Sequence, residues 1–345
     1  MVENESRALV SGEYMSSYSN MMRVDGLQIG VHAPRKTLNQ SRRLAPAAPV
    51  HVFDTEDYKN LPASWPRAIG PKEVSCFVGV TGDNEMWFDF NALSRHTHYA
   101  AVVVMVQRVN AVTGQKADHV YLEKYVGTCP KHNIGFESDR FCPECGFKWP
   151  AQNYITNAAP GTSTHFWLDG WRSQDGEIRQ FVFTDTDEGL GVAQQLIGKE
   201  RTADIRFAIF LSKNPKPVSP SLDVLRRGGN PDFYPGKGIG SYLANSNLQN
   251  GVLSARIEAN ASTQSRASNP TIGIPVQQEV SFGRAVEQQI HADPNDIDFW
   301  QSEPAAVIML TPAPADWVAT VTRNGPTVDR TLGGMGPLAG LKGVG

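Results

Sequence analysis

Apolar residues along this chain recur in short runs cut by Gly, Pro, Asn and Asp, not in long stripes of helical period. Residues 23–32 alternate loosely (Val24, Leu27, Ile29, Val31) and predict a strand, as do 51–53. Runs 74–80 and 86–90 flank Thr81-Gly82-Asp83-Asn84 and read as a hairpin. Residues 98–109 are dense in β-branched and aromatic side chains, and after a turn at Thr113-Gly114 the segment 118–126 returns with Val120, Leu122 and Tyr125. A further hairpin is predicted for 164–171 and 177–184 around Ser173 to Gly176, where Asp-Gly is a strong turn signal. Strands are also expected at 205–211, 252–259, 272–282, 285–290, 305–310 and 317–321.

One segment carries a helical pattern. Thr186 caps it, Asp187 and Glu188 favour the positive end of the helix dipole, Leu190, Ala193, Leu196 and Ile197 form a stripe, and Gly198 with Lys199 closes it. Many short strands with frequent turns and a single helix predict a mainly β fold: an antiparallel sandwich or barrel-like body, not a set of βαβ units.

Composition divides the chain into three parts. Residues 1–49 read as a flexible N-terminal arm that ends in a basic, Pro-rich segment with Arg35, Lys36, Arg42 and Arg43. Residues 50–325 form the β-rich body, with an insert at 127–150 and a long irregular loop at 214–250. Residues 326–345 form a Gly-rich flexible tail. The Gly236 to Gly240 run inside the long loop lacks the spacing and the strand-helix context of a phosphate loop.

The 345 residues, 40% hydrophobic, suffice for a large core, and a formal net charge of -3 gives no global attraction to nucleic acid or anionic lipid. No apolar run approaches the roughly 20 residues of a spanning helix, and the first twenty residues lack the pattern of a secretory signal. A cytoplasmic protein without membrane contact is the expectation, with later incorporation into a larger assembly left open.

The sharpest chemistry lies at Cys129-Pro-Lys-His132 and Cys142-Pro-Glu-Cys145-Gly146, which hold three of the four cysteines. Two ligands separated by two residues sit on one tight turn and point inward together; Pro after the first ligand and Gly after the last suit such a turn. The stretch 129–146 resembles a zinc ribbon or rubredoxin-type knuckle pair. That resemblance implies a closed structural Zn²⁺ site with Cys129, His132, Cys142 and Cys145 as ligands. His132, standing where a second cysteine is usual, favours zinc over redox iron. Glu137, Asp139 or a distant histidine is the alternative fourth ligand. Cys76, inside an apolar run, reads as a buried core thiol.

Other constellations point less firmly. His96 and His98 share a face if their segment is a strand, which suits a second metal site. Asp185, Asp187 and Glu188 lack the ligand series of a calcium loop, and Asp293, Asp296 and Asp298 lie in a Pro/Asn turn. No nucleophile elbow, zinc-protease helix or dinucleotide loop occurs. The reading that follows is a non-catalytic structural or interaction protein, a self-assembling subunit or adaptor that engages further copies or a protein partner through its arms. A nucleic-acid-associated zinc-ribbon protein is the first alternative, and an enzyme whose site leaves no sequence signature is the second.

Overall fold

The computed structural model describes residues 21–24, 27–35, 47–82, 84–92, 98–117, 119–124, 129, 132, 134, 142–144, 146, 150–158, 165–173, 176–185, 204–216 and 278–323. By internal contacts the chain divides into two units, 1–216 with 272–345, and 217–271. All described residues belong to the first. The helix expected at 186–198, the strand at 252–259 and the loop from 217 onward lie outside the described residues.

In chain order the strands are β1 (Met21–Val24), β2 (Leu27–His32), β3 (Val52–Asp54), β4 (Glu73–Val80), β5 (Glu85–Ala92), β6 (Ala100–Val106) and β7 (Val109–Asn110). They continue as β8 (Ile155–Thr156), β9 (His165–Leu168), β10 (Gly170–Arg172), β11 (Ile178–Asp185), β12 (Ile205–Leu211), β13 (Gln278–Ala285) and β14 (Ala306–Pro314). One α-helix among the described residues, α1 (Ala315–Thr322), follows directly on β14.

Among the described residues these strands form two seven-stranded sheets. The first runs β1-β2-β5-β11-β10, with β9 also paired to β5 and β13 to β11; the second runs β3-β4-β14-β12-β6-β7, with β8 on β6. Among the described strands every pairing is antiparallel except that of β4 with β14, which is parallel over eight positions from Glu73↔Val307 to Val80↔Pro314. Alternate residues of both sheets meet in one core: Leu27, Ile29, Val31, Phe88, Phe90, Phe181 and Phe183 face Val102, Val104, Phe207, Ile209, Ile308 and Leu310. The body is thus a two-sheet, sandwich-like fold.

Sheet two is covered on its outer side as well. The odd positions of β6, Ala101, Val103 and Met105, pack with Leu122, Tyr154, Ala208, Phe210 and Trp300 in a second cluster. Burial on both faces is why 98–109 reads as a continuous apolar run instead of an alternation. A third cluster gathers Tyr58, Leu61, Trp65, Phe77, Ala313, Val318 and Val321 beneath α1.

Three expectations are corrected. Runs 74–80 and 86–90 are strands, but they do not pair: β4 belongs to the second sheet and β5 to the first, so 81–84 is an arch between sheets. Asn84 Oδ1 holds that arch by accepting from Thr81 N (2.8 Å) and Thr81 Oγ1 (3.0 Å). Residues 317–321 are helix, not strand. Pro314 stands at the N-cap, Asp316 lies in the first turn, and Val318 and Val321 are buried at helical spacing. Gly79 lets the helix approach, since a Cβ there would lie 3.2 Å from Ala315 Cα. Finally, residues 21–32, which composition assigned to the arm, form β1 and β2 inside the first sheet.

The segment after β2 is tied to the same sheet. His32 lies 2.8 Å from Asp89 Oδ1 through Nε2 and 2.8 Å from Ala47 O through Nδ1, and its ring stacks on Trp87 at 3.7 Å. A side chain at Gly30 would collide with the Asp89 carboxylate, so glycine is required beside it.

Candidate metal centre

The knuckle segment rises from a short stem. Residues 119–124, irregular apart from a bridge at Lys124, lead into it and 150–158 lead out. The two sides meet at the Lys124↔Gln152 bridge, with Asn153 N donating to Glu123 O (3.1 Å) and Glu123 N to Asn153 Oδ1 (2.9 Å). Asn153 Nδ2 donates to Tyr121 O (2.9 Å), and Asn110 Nδ2 to Asn153 O (2.8 Å), which anchors the stem to the end of β7. Because three of these four bonds use an asparagine side-chain amide where a ladder would use backbone, the stem is irregular, and the described part of the expected strand 118–126, residues 119–124, keeps a single bridge.

At its far end the segment brings Cys129, His132 and Cys142 together, with one ligand atom from each all within 4.8 Å of one another. Cys129 and Cys142 are 1% and 0% exposed, and His132 is half-buried. His132 Nδ1 lies 3.6 Å from Cys129 Sγ and 3.5 Å from Cys142 Sγ. A tetrahedral ion with Zn–S near 2.3 Å and Zn–N near 2.05 Å requires an S···N edge of about 3.6 Å. The donor set therefore fits a tetrahedral metal ion.

Local backbone produces this convergence. His132 N donates to Cys129 O (3.3 Å), closing the tight turn that the two-residue gap requires, and Cys129 N donates to Ile134 O (2.9 Å). On the second side Gly146 N donates to Cys142 O (2.7 Å), and Gly146 has φ +68, the left-handed conformation expected of the glycine that ends the turn. Nδ1, the nitrogen nearer the backbone, is the His132 atom that faces both sulfurs, as the short reach between Cys129 and His132 requires.

Cys145, Glu137 and Asp139 lie outside the described residues, as does His96. His98 is described and half-buried, but it joins no cluster: among the described residues Cys129, His132 and Cys142 are the one group of three or more metal-ligating side chains that converges. None of the described cysteines is in a disulfide, and Cys76 is buried in the core at 1% exposure. The three aspartates of 293–298 diverge. Asp293 is buried at 4% while Asp296 and Asp298 are exposed. Sequence reasoning missed the importance of Asp293, because its partners Tyr154 and Gln152 lie about 140 residues earlier in the chain.

Among the described residues no helix is long and apolar enough to cross a membrane. Compared with known proteins, the chain matches no family model, no curated protein and no solved structure.

Proposed function

We propose that the protein is a non-catalytic structural subunit or adaptor: a β-sandwich whose inserted zinc ribbon is stapled by one Zn²⁺ and used, with the terminal segments, to engage further copies or a protein partner. The observation that carries the metal part is the pair of S···N separations at His132, both at the edge length of a tetrahedral site. Cys145 is the fourth ligand in this reading, one residue before the left-handed Gly146. The bound ion supplies cross-linking: it joins two knuckles that have too little apolar surface to hold each other. Four protein ligands leave no position for a reacting water, which is why the site is read as structural.

Apolar side chains displayed on ordered backbone support the interaction part. Ile69 is 95% exposed, in a turn fixed by Glu73 Oε2, which accepts from Ile69 N (2.8 Å) and Gly70 N (3.2 Å). Trp167 is 51% exposed on β9. Aromatic and aliphatic groups presented rigidly lose little entropy on binding and serve as interface anchors.

Elemental analysis of the purified protein should give one zinc per chain, and Cys142→Ser should lose it. Light scattering of the full chain beside a form lacking residues 1–20 should show a larger assembly for the full chain. A chain without zinc removes the metal reading, and two monomers remove the assembly reading.

A further inference from the structure

Between β13 and β14 the chain crosses the outer side of the second sheet as residues 291–300, with a short 3-10 turn at Ile297–Phe299. Asp293 organises this crossing. Its carboxylate accepts from Tyr154 OH (2.6 Å) and Trp300 Nε1 (2.8 Å) through Oδ2, and from Asn295 N (3.0 Å) and Asn295 Nδ2 (2.8 Å) through Oδ1. Four donors satisfy the buried Asp293 side chain. Burial, together with the bond to Asp293, pushes the Tyr154 hydroxyl far above its ordinary range, so it stays a donor.

The backbone of the same residues is held by the metal stem. Gln152 Oε1 accepts from Asp293 N (2.8 Å), and Gln152 Nε2 donates to His291 O (3.1 Å). Lys124 Nζ donates to Asp293 O (2.8 Å) and to Asn295 O. Lys124 and Gln152 are also the bridge pair that closes the stem, five residues before Cys129 and ten after Cys142. The bridge pair that brackets the metal-ligating stretch in sequence is therefore the pair that holds the crossing segment.

We infer that residues 291–300 are a metal-responsive strap, for which Lys124 and Gln152 are the positioning residues. This rests on the proposed metal centre. A bound ion fixes the two sides of the hairpin; the fixed stem presents Lys124 and Gln152 together; these hold Asp293, which seats Tyr154 and Trp300 in the second cluster. Without the ion the stem keeps only its irregular bonds, and the strap opens more often. Linkage makes the effect reciprocal: a loosened strap weakens metal binding by the same factor. The strap lies over β6 and β12, so metal occupancy would set how firmly one outer face of the sandwich is closed.

Hydrogen exchange of the full chain, zinc-loaded and after stripping with a chelator, tests this directly. Stripping should raise exchange in 150–154 and 291–300 by about tenfold or more while leaving β4, β14 and α1 unchanged. Asp293→Ala would strand the buried Tyr154 hydroxyl and Trp300 indole N–H and is liable not to fold, so the variant of choice is Lys124→Met, which keeps the stem's length and removes the ammonium. It should bind zinc about tenfold more weakly with all four ligands intact. Equal exchange at 291–300 in loaded and stripped protein, or unchanged zinc affinity in Lys124→Met, overturns the strap while leaving the metal centre standing. Wild-type protein that binds no zinc overturns both.

Discussion

Asp169 illustrates how one buried side chain sets a pH dependence. It lies at the break between β9 and β10, 7% exposed, with its backbone N–H donating to Gln288 Oε1 (3.0 Å). Burial pushes its carboxyl up from the ordinary 3.8 to about 7, against the opposing effect of a hydrogen bond with the Trp167 side chain. A carboxyl raised in the folded state binds its proton more tightly there than in the unfolded chain. Its contribution is therefore unfavourable to folding once the unfolded carboxyl ionises, and stability falls as pH rises from about 4 to about 7, by at most about 1.4 kcal/mol per pH unit. Asp169→Asn removes that dependence. Melting curves across this range should converge at low pH and separate at neutral pH, with the variant the more stable; parallel curves would show that the carboxyl is not buried in solution. At the candidate metal centre the residue scale is governed by geometry. There the convergence of Cys129, His132 and Cys142 was legible because the two-residue gap after Cys129, the turn it implies and the left-handed Gly146 are all local.

At the scale of elements, α1 is where the pattern misled. Val318, Thr320, Val321 and Thr322 are β-branched and suggest a strand, yet what decides is the spacing of the buried positions and the proline at 314. β14 can run no further as a paired strand, and the chain turns over Phe77 and Gly79 with Trp317 against Trp65 at 5.3 Å. Thr320 is exposed at mid-helix and its Oγ1 donates back to Asp316 O (2.9 Å). Thr320→Ala should stabilise by a few tenths of a kcal/mol, whereas Thr320→Pro should cost about 3 kcal/mol. Denaturant unfolding distinguishes this from an edge strand, where an exposed proline is tolerated and alanine is neutral or worse. Of the expected hairpin 164–171 with 177–184, the part nearest the turn was legible: Asp-Gly sits between β10 and β11 and Gly176 has φ +86, whereas residues 165–168 pair as β9 with β5 instead. The arch from β4 to β5 was not, because the same four turn residues serve a hairpin and a change of sheet alike. Only the distant partners, β14 for β4 and β2 for β5, decide between them.

For the whole molecule, the register of β2 on β5 determines where the body begins. Six consecutive pairs run from Leu27↔Ala92 to His32↔Trp87, and Met22, Val24, Leu27, Ile29 and Val31 are all at most 2% exposed. These side chains close one side of the core against Phe88 and Phe90, and His32 with Asp89 fastens the chain at Ala47. Composition alone placed this stretch in the arm because it is short, flanked by polar residues and paired with a strand some sixty residues later. The consequence for experiment is direct. Removing residues 1–20 leaves every described strand in place, so the shortened protein should melt cooperatively near the full chain's midpoint and is a valid test of assembly. Removing 1–32 strips two strands, exposes the edge of β5 and deletes five buried apolar side chains worth roughly 2 kcal/mol each, a loss of the same order as the entire stability of most domains. That form should be insoluble or molten by near-ultraviolet circular dichroism; a cooperative melt from it would mean that β1 and β2 are dispensable additions to a sandwich that begins at β3.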